Sequence, residues 1–354
     1  MAGNTTILIH APRERGGKRR AVDGSKRRDD NGSLTLHAPA SSPIDEVIQV
    51  RVTGANPGAR VTLESTLVDD DGVEWSSRAT FEADAEGTVD LRKHAPTDGD
   101  WAGARAMGWC WAMTSHGDTE TAALGGEPAV DVTVEATTEG GATATRRVSR
   151  QVFDESVDVT SVDADFDDHH LIGTLYEPAG EGPHPGVVSL HGGGGRQGTD
   201  RTEKLLATRG FATLALAYVG EHDALPDRLA RVPVTYPGAA VDWLRTRPTV
   251  AEGPVGLFGV SRGAELALEV GARHDDVGAV VSYAGSGVRY DTPDGTPAWV
   301  DADGEALPHL TAVGEPEIGP DGVPISRPIL ERGFEEATDA DRAAATIPVE
   351  RIDG

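Results

Sequence analysis

Val255-Gly256-Leu257-Phe258-Gly259-Val260-Ser261-Arg262-Gly263-Ala264-Glu265-Leu266-Ala267-Leu268 reads as a buried strand, a tight turn and a helix. The apolar run enters Gly259-Val260-Ser261-Arg262-Gly263, and residues of high helix propensity leave it. Flanking glycines let the chain pass close to the elements on either side, and the turn lifts one serine hydroxyl clear of the strand. With 44 glycines in 354 residues a G-x-S-x-G match alone is weak, so its flanks carry the reading.

Working outward, the same rhythm recurs. Leu171–Tyr176 reads as an early antiparallel strand. Gly186–Leu190, Ala212–Ala217 and Val277–Tyr283 read as short, nearly continuous apolar strands of the kind buried in a parallel sheet. Helical stretches are expected around Glu203–Arg209, Ala239–Thr246 and Arg262–Arg273. Strand–helix alternation from about Val157 predicts an α/β-hydrolase domain over 157–354, with Ser261 as nucleophile on its elbow. Before it, from Ser33 to Val152, the period is two: Val50 and Val52, then Val61, Leu63 and Leu67, then Val130, Val132 and Val134. Asn56-Pro57-Gly58 and Asp69-Asp70-Asp71-Gly72 supply turns between them. This predicts an immunoglobulin-like β-sandwich over 33–152. Residues 1–32 are basic and poor in apolar residues, and disorder is expected there.

A serine hydroxyl needs a base to take its proton and donors to hold the oxyanion that forms on attack. His191-Gly192-Gly193-Gly194-Gly195 follows the Gly186–Leu190 strand, where an oxyanion loop belongs. Gly193 or Gly194 is expected to give one backbone N–H, and Arg262 at the helix start the other. His191 is expected to shape the loop. In this fold the acid and the histidine follow the serine along the chain. Only His274 and His309 do so here. His274 falls where the post-elbow helix should end, and His309 in a Gly/Pro-rich excursion, which makes it a weak candidate. No Walker-type spacing is present, and neither cofactor nor metal is expected.

The formal charge of −26, from 58 acidic against 32 basic residues, excludes nucleic acid or an anionic membrane as the main partner. Only Lys18, Lys26, Lys93 and Lys204 are lysines, and this acid-rich, lysine-poor composition suits high salt. The single cysteine, Cys110, cannot form an intramolecular disulfide and fits a reducing compartment. It is expected as a buried thiol on a strand. No run is long enough to span a bilayer, and no apolar segment follows Arg19-Arg20 as an export signal would require. A halophile's cytoplasmic protein is the expectation.

The Gly-rich loop, Arg209–Tyr218, Gly256–Leu268 and Met107-Gly108-Trp109-Cys110-Trp111-Ala112-Met113 together resemble the acyl-CoA thioesterase and bile acid-CoA:amino acid N-acyltransferase family, over nearly all of 35–354. The resemblance implies an acyl-CoA substrate, a covalent acyl-enzyme and a place in fatty acid metabolism. Thioesterases of that family carry Ser in the elbow and the aminoacyl-transferring members Cys, so Ser261 implies hydrolysis. N-acyl transfer and a dienelactone-type hydrolase are the alternatives within enzymes. Ile347–Gly354 is similar to the approach to the family's next strand, which leads to its acid and histidine. A shortened, C-terminally incomplete hydrolase domain is therefore expected, and with it a further alternative: an inactive chain with at most a binding role.

Overall fold

In the computed structural model, residues 33–352 are described except 120, 125, 194–199 and 320–323. The basic segment 1–32 and the loop candidate Gly194 thus lie outside the described residues.

Alternating apolar residues in the first third build two sheets around one core. Arg60–Val68, Glu74–Glu82, Ala129–Thr138 and Thr143–Gln151 form the antiparallel body of a seven-stranded sheet. Thr35–His37, Arg51–Thr53 and Val89–Asp90 form a three-stranded one. The period of two puts every second side chain inward. Val50, Val52, Val61, Leu63, Phe81, Val132, Val134 and Val148 are accordingly buried in one cluster with Trp109. Cys110 departs from expectation. Gly108–Trp111 is a single helical turn, not a strand, and Cys110 is only half-buried, its thiol pKa raised by burial. Trp109 buries by packing the turn against the sheets rather than by extending one of them, while Trp111 points out.

The last strand of the first region ends at Gln151, and the second sheet starts at Asp158. Its strands are β1 (Asp158–Phe166), β2 (His169–Glu177), β3 (Gly186–Leu190), β4 (Ala212–Ala217), β5 (Val255–Val260) and β6 (Val277–Tyr283). Their spatial order is β1-β2-β4-β3-β5-β6. β1 and β2 are antiparallel, and β4, β3, β5 and β6 run parallel. Helices α1 (Arg201–Thr208), α2 (Thr235–Arg245) and α3 (Arg262–Gly271) make the crossovers. β3 is buried at all five positions, as its unbroken apolar run requires. Strand β1 was not legible, because Asp163 and Asp165 face out between Val162, Ala164 and Phe166 on the core side.

The two regions are tied by charge. Arg209, just past α1, pairs with Asp45, with Nε 2.9 Å from the carboxylate, and Arg201 Nη1 donates to Leu124 O at 2.6 Å. Among the described residues no helix is long and apolar enough to cross a membrane.

Candidate active site

The carboxyl ends of β3, β5 and β6 lie side by side, with Leu190 paired to Gly259 and Val260 to Tyr283. In open α/β sheets that end is where ligands bind. Ser261 stands there between β5 and α3, exposed, at φ 54° and ψ −117°. A non-glycine residue at positive φ is strained, and the surrounding packing must hold it. Two glycines allow this. A Cβ on Gly259 would fall 2.5 Å from Ala264 Cα, and one on Gly263 2.1 Å from Leu190 O and 2.2 Å from His191 O. The turn is thus clamped between the start of α3 and the end of β3. The Ser261 N–H donates to Tyr283 O at 2.9 Å, and its carbonyl accepts from Ala264 N–H at 3.0 Å.

The Gly-rich loop lies beside the elbow. A Cβ on Gly192 would lie 3.6 Å from Ser261 Cβ, and one on Gly193 3.6 Å from Arg262 Cγ. The structure therefore brings Gly193, Arg262 and Ser261 together. As the first residue of α3, Arg262 has no intrahelical acceptor for its N–H. Two side chains hold this arrangement: Tyr218, not foreseen from sequence, and His191, which was expected to shape the loop. The Tyr218 hydroxyl, buried at the end of β4, donates to His191 O and, at 2.9 Å, to Gly192 O. Burial raises its pKa, so it stays a donor. The loop's imidazole turns inward: His191 Nε2 lies 3.0 Å from the fully buried Glu203 Oε1, although off the line of a hydrogen bond. Ser189 Oγ donates to the same oxygen at 2.6 Å.

Glu265, one turn into α3, is the second unforeseen feature. Its carboxylate accepts from Arg262 Nη1 at 2.9 Å and from the buried Trp299 Nε1. Arg262 Nη2 also donates to Tyr290 O at 2.6 Å, and its guanidinium lies 5.5 Å from the Trp299 ring centroid. Burial pushes the Glu265 pKa up to about 7 despite these partners. Trp299 sits on a two-residue strand, Trp299–Val300, too short to show a periodicity that would place it against α3. Glu265 could be read only as one more helical acid.

The remaining histidines do not join Ser261. His309 Nδ1 bonds Leu307 O at 2.8 Å. His274 follows the end of α3, as expected, with Nε2 3.3 Å from Asp242 Oδ2. Among the described residues the Ser261 hydroxyl has no hydrogen-bond partner. A cavity of about 610 Å³, lined by Asp168, His169, Thr235, Asp242, Val270 and His274 among others, includes neither Ser261, Gly193 nor Arg262.

A family model described as the acyl-CoA thioester hydrolase/BAAT N-terminal region matches residues 45–164, and one for the BAAT/acyl-CoA thioester hydrolase C terminal matches 232–354. The peroxisomal succinyl-coenzyme A thioesterase of Mus musculus is 32% identical over 270 residues, 72% of this chain and 60% of that protein. The bile acid-CoA:amino acid N-acyltransferase of Mus musculus is 32% identical over 263 residues, 70% of this chain and 60% of its own length. The chain thus spans about 60% of the length of these relatives. Among solved structures, a dienelactone hydrolase from Anabaena variabilis is 26% identical over 37% of this chain and 65% of that one, with a TM-score of 0.31. Matched in both its regions by the models of one family, this chain belongs to the acyl-CoA thioester hydrolase/bile acid-CoA:amino acid N-acyltransferase family.

Proposed function

We propose that this chain is a serine-dependent acyl-CoA thioester hydrolase. The observation that carries the proposal is Ser261 itself: exposed, held at positive φ above the sheet, with Gly193 and the start of α3 alongside. In this reading Ser261 Oγ attacks the thioester carbonyl and loses its proton, and the oxyanion is held by the N–H groups of Gly193 and Arg262. The carbonyl re-forms, the C–S bond breaks, and the coenzyme A thiolate leaves with the proton. Water then cleaves the acyl-serine to the free acid. Serine in place of cysteine supports hydrolysis over transfer to an amine.

A second reading rests on the missing contact. With no imidazole joined to Ser261 among the described residues, the proton has no acceptor, and the chain would bind acyl-CoA while turning it over slowly. Loss of a triad member in a serine protease leaves about 10³–10⁴-fold catalysis over water, from the oxyanion hole and binding alone.

Thiol release from a series of saturated acyl-CoAs, measured for the 354-residue chain and its Ser261→Ala variant, tests both. Slow release that falls further in Ser261→Ala supports the nucleophile. Equal release from both chains overturns it. Turnover at ordinary enzyme rates would sink the second reading and make His309 the first histidine to replace.

A further inference from the structure

At the antiparallel end of the large sheet, three side chains from three separate segments converge. Asp163 stands on β1, His170 on β2, and His222 in the chain that follows β4. His170 Nε2 lies 2.9 Å from Asp163 Oδ1, and His222 Nε2 lies 3.7 Å from Asp163 Oδ2. The two imidazoles stack with centroids 5.5 Å apart and 14° between their planes. One donor atom from each residue falls within 4.8 Å of the others. A tetrahedral zinc ion with bonds of about 2.0–2.1 Å sets neighbouring ligand atoms about 3.3 Å apart. The separations of 2.9 and 3.7 Å, one to each oxygen of the Asp163 carboxylate, lie on either side of that edge, and the three donor atoms are already within 4.8 Å of one another.

We infer that Asp163, His170 and His222 form a binding site for a divalent transition-metal ion of the zinc class, with water completing the shell. The donor set is right for such an ion, which takes imidazole nitrogen and carboxylate oxygen. Asp165 supplies the outer partner. Two residues along β1 from Asp163, and so on the same face, its carboxylate lies 2.6 Å from His170 Nδ1. A carboxylate there keeps the ring proton on Nδ1 and turns Nε2 toward the ion, the usual support for a ligating histidine. Among the described residues no arginine or lysine pairs with Asp163 or Asp165. The other His/Asp cluster differs on this point: Arg245 Nη1 already lies 2.5 Å from Asp276 and 3.7 Å from Asp242, beside His274. Its cation is built in.

Two local bonds oppose loading: the ion must replace the hydrogen bond between His170 Nε2 and Asp163 Oδ1 at 2.9 Å, and a backbone bond at His222. The Ala224 N–H donates to His222 Nδ1 at 3.1 Å. Coordination through Nε2 moves the ring proton to Nδ1 and releases that N–H to water, a small cost at an exposed turn. In return the ion links β1, β2 and the chain four residues beyond Tyr218, the anchor of the Gly-rich loop. Sequence reading expected no metal because the three ligands share no short spacing. Only the pairing of β2 with β1 on one side and β4 on the other brings them together.

The test uses the full chain stripped of metal with a chelator, at about pH 8, above the ordinary imidazole range. Co(II) is titrated for its tetrahedral ligand-field absorption, and Zn(II) in competition with a chromogenic chelator. One equivalent is expected to bind. His170→Ala and His222→Ala should abolish the absorption, Asp165→Asn should weaken binding about 10–100-fold, and His274→Ala should change nothing. No absorption and no competition by the native chain, or equal affinity in His222→Ala, would overturn the assignment. So would loss of binding in His274→Ala with retention in His222→Ala.

Discussion

Gly263 has Leu190 O and His191 O where a side chain would begin, so the smallest substitution forces backbone apart at the site. Gly263→Ala is expected to destabilise by about 3 kcal/mol or more, in the range of severe core changes, and to displace Ser261. A denaturant midpoint equal to that of the parent chain would show that the clamp is not rigid. Glu265 sets a pH dependence at the same scale. Its carboxyl keeps a proton up to about pH 7 when folded but loses it near 4.5 when unfolded. The folded state therefore holds an extra proton between those values. The associated stability is full below about 4.5 and is lost as pH rises through about 7, a difference on the order of 3 kcal/mol. Glu265→Gln should flatten this fall, and urea unfolding of both chains at pH 5 and pH 7.5 checks it. These two residues mark the limits of sequence reading. Gly263 was legible because its motif is local; the burial of Glu265 depends on Trp299, 34 residues away.

Strand β6 is the last of its sheet, and its outer edge carries no partner strand among the described residues. Val281 and Tyr283 on it are 55% and 66% exposed. An apolar, unpaired edge is a template for pairing with another chain. Self-association through β6 is therefore expected at protein concentrations where the rest of the surface stays apart. Val281→Lys should reduce it, because a charge on an edge strand opposes addition of a second strand. Sedimentation of the two chains at matched concentration is the check, and identical behaviour would remove β6 as the cause. The elements themselves divide by character. β3 and β4 were legible at their bounds because buried parallel strands are unbroken apolar runs; β6 carries such a run too, but as the edge strand it is buried only at Val277. Edge strand β1 shows its period only over Val162, Ala164 and Phe166, and the helices Arg327–Glu336 and Asp339–Ala345 carry too few apolar residues for one to show.

Across the whole molecule, a charge of −26 on 354 residues makes the folded chain repel itself. Salt shortens the reach of that repulsion from about 10 Å at 0.1 M to about 3 Å at 1 M. The melting temperature is expected to rise over that interval in NaCl. A constant or falling value would mean that the charges are already balanced by local pairs, such as Arg209–Asp45 and Arg245–Asp276, and would count against a high-salt setting.

The sequence alone determined what is contiguous: the strand, turn and helix around Ser261, the glycine loop after β3, and the alternation of the first region. Each is written within a few residues, where backbone sterics and periodic burial act. Tertiary structure decided what depends on neighbours distant in the chain. It laid Gly193 beside Arg262, hung the Gly-rich loop from Tyr218, buried Glu265 under Trp299, and bonded His309 to Leu307 O rather than to Ser261. Those outcomes follow from strand order, which packing of the entire sheet selects and no short window of residues contains.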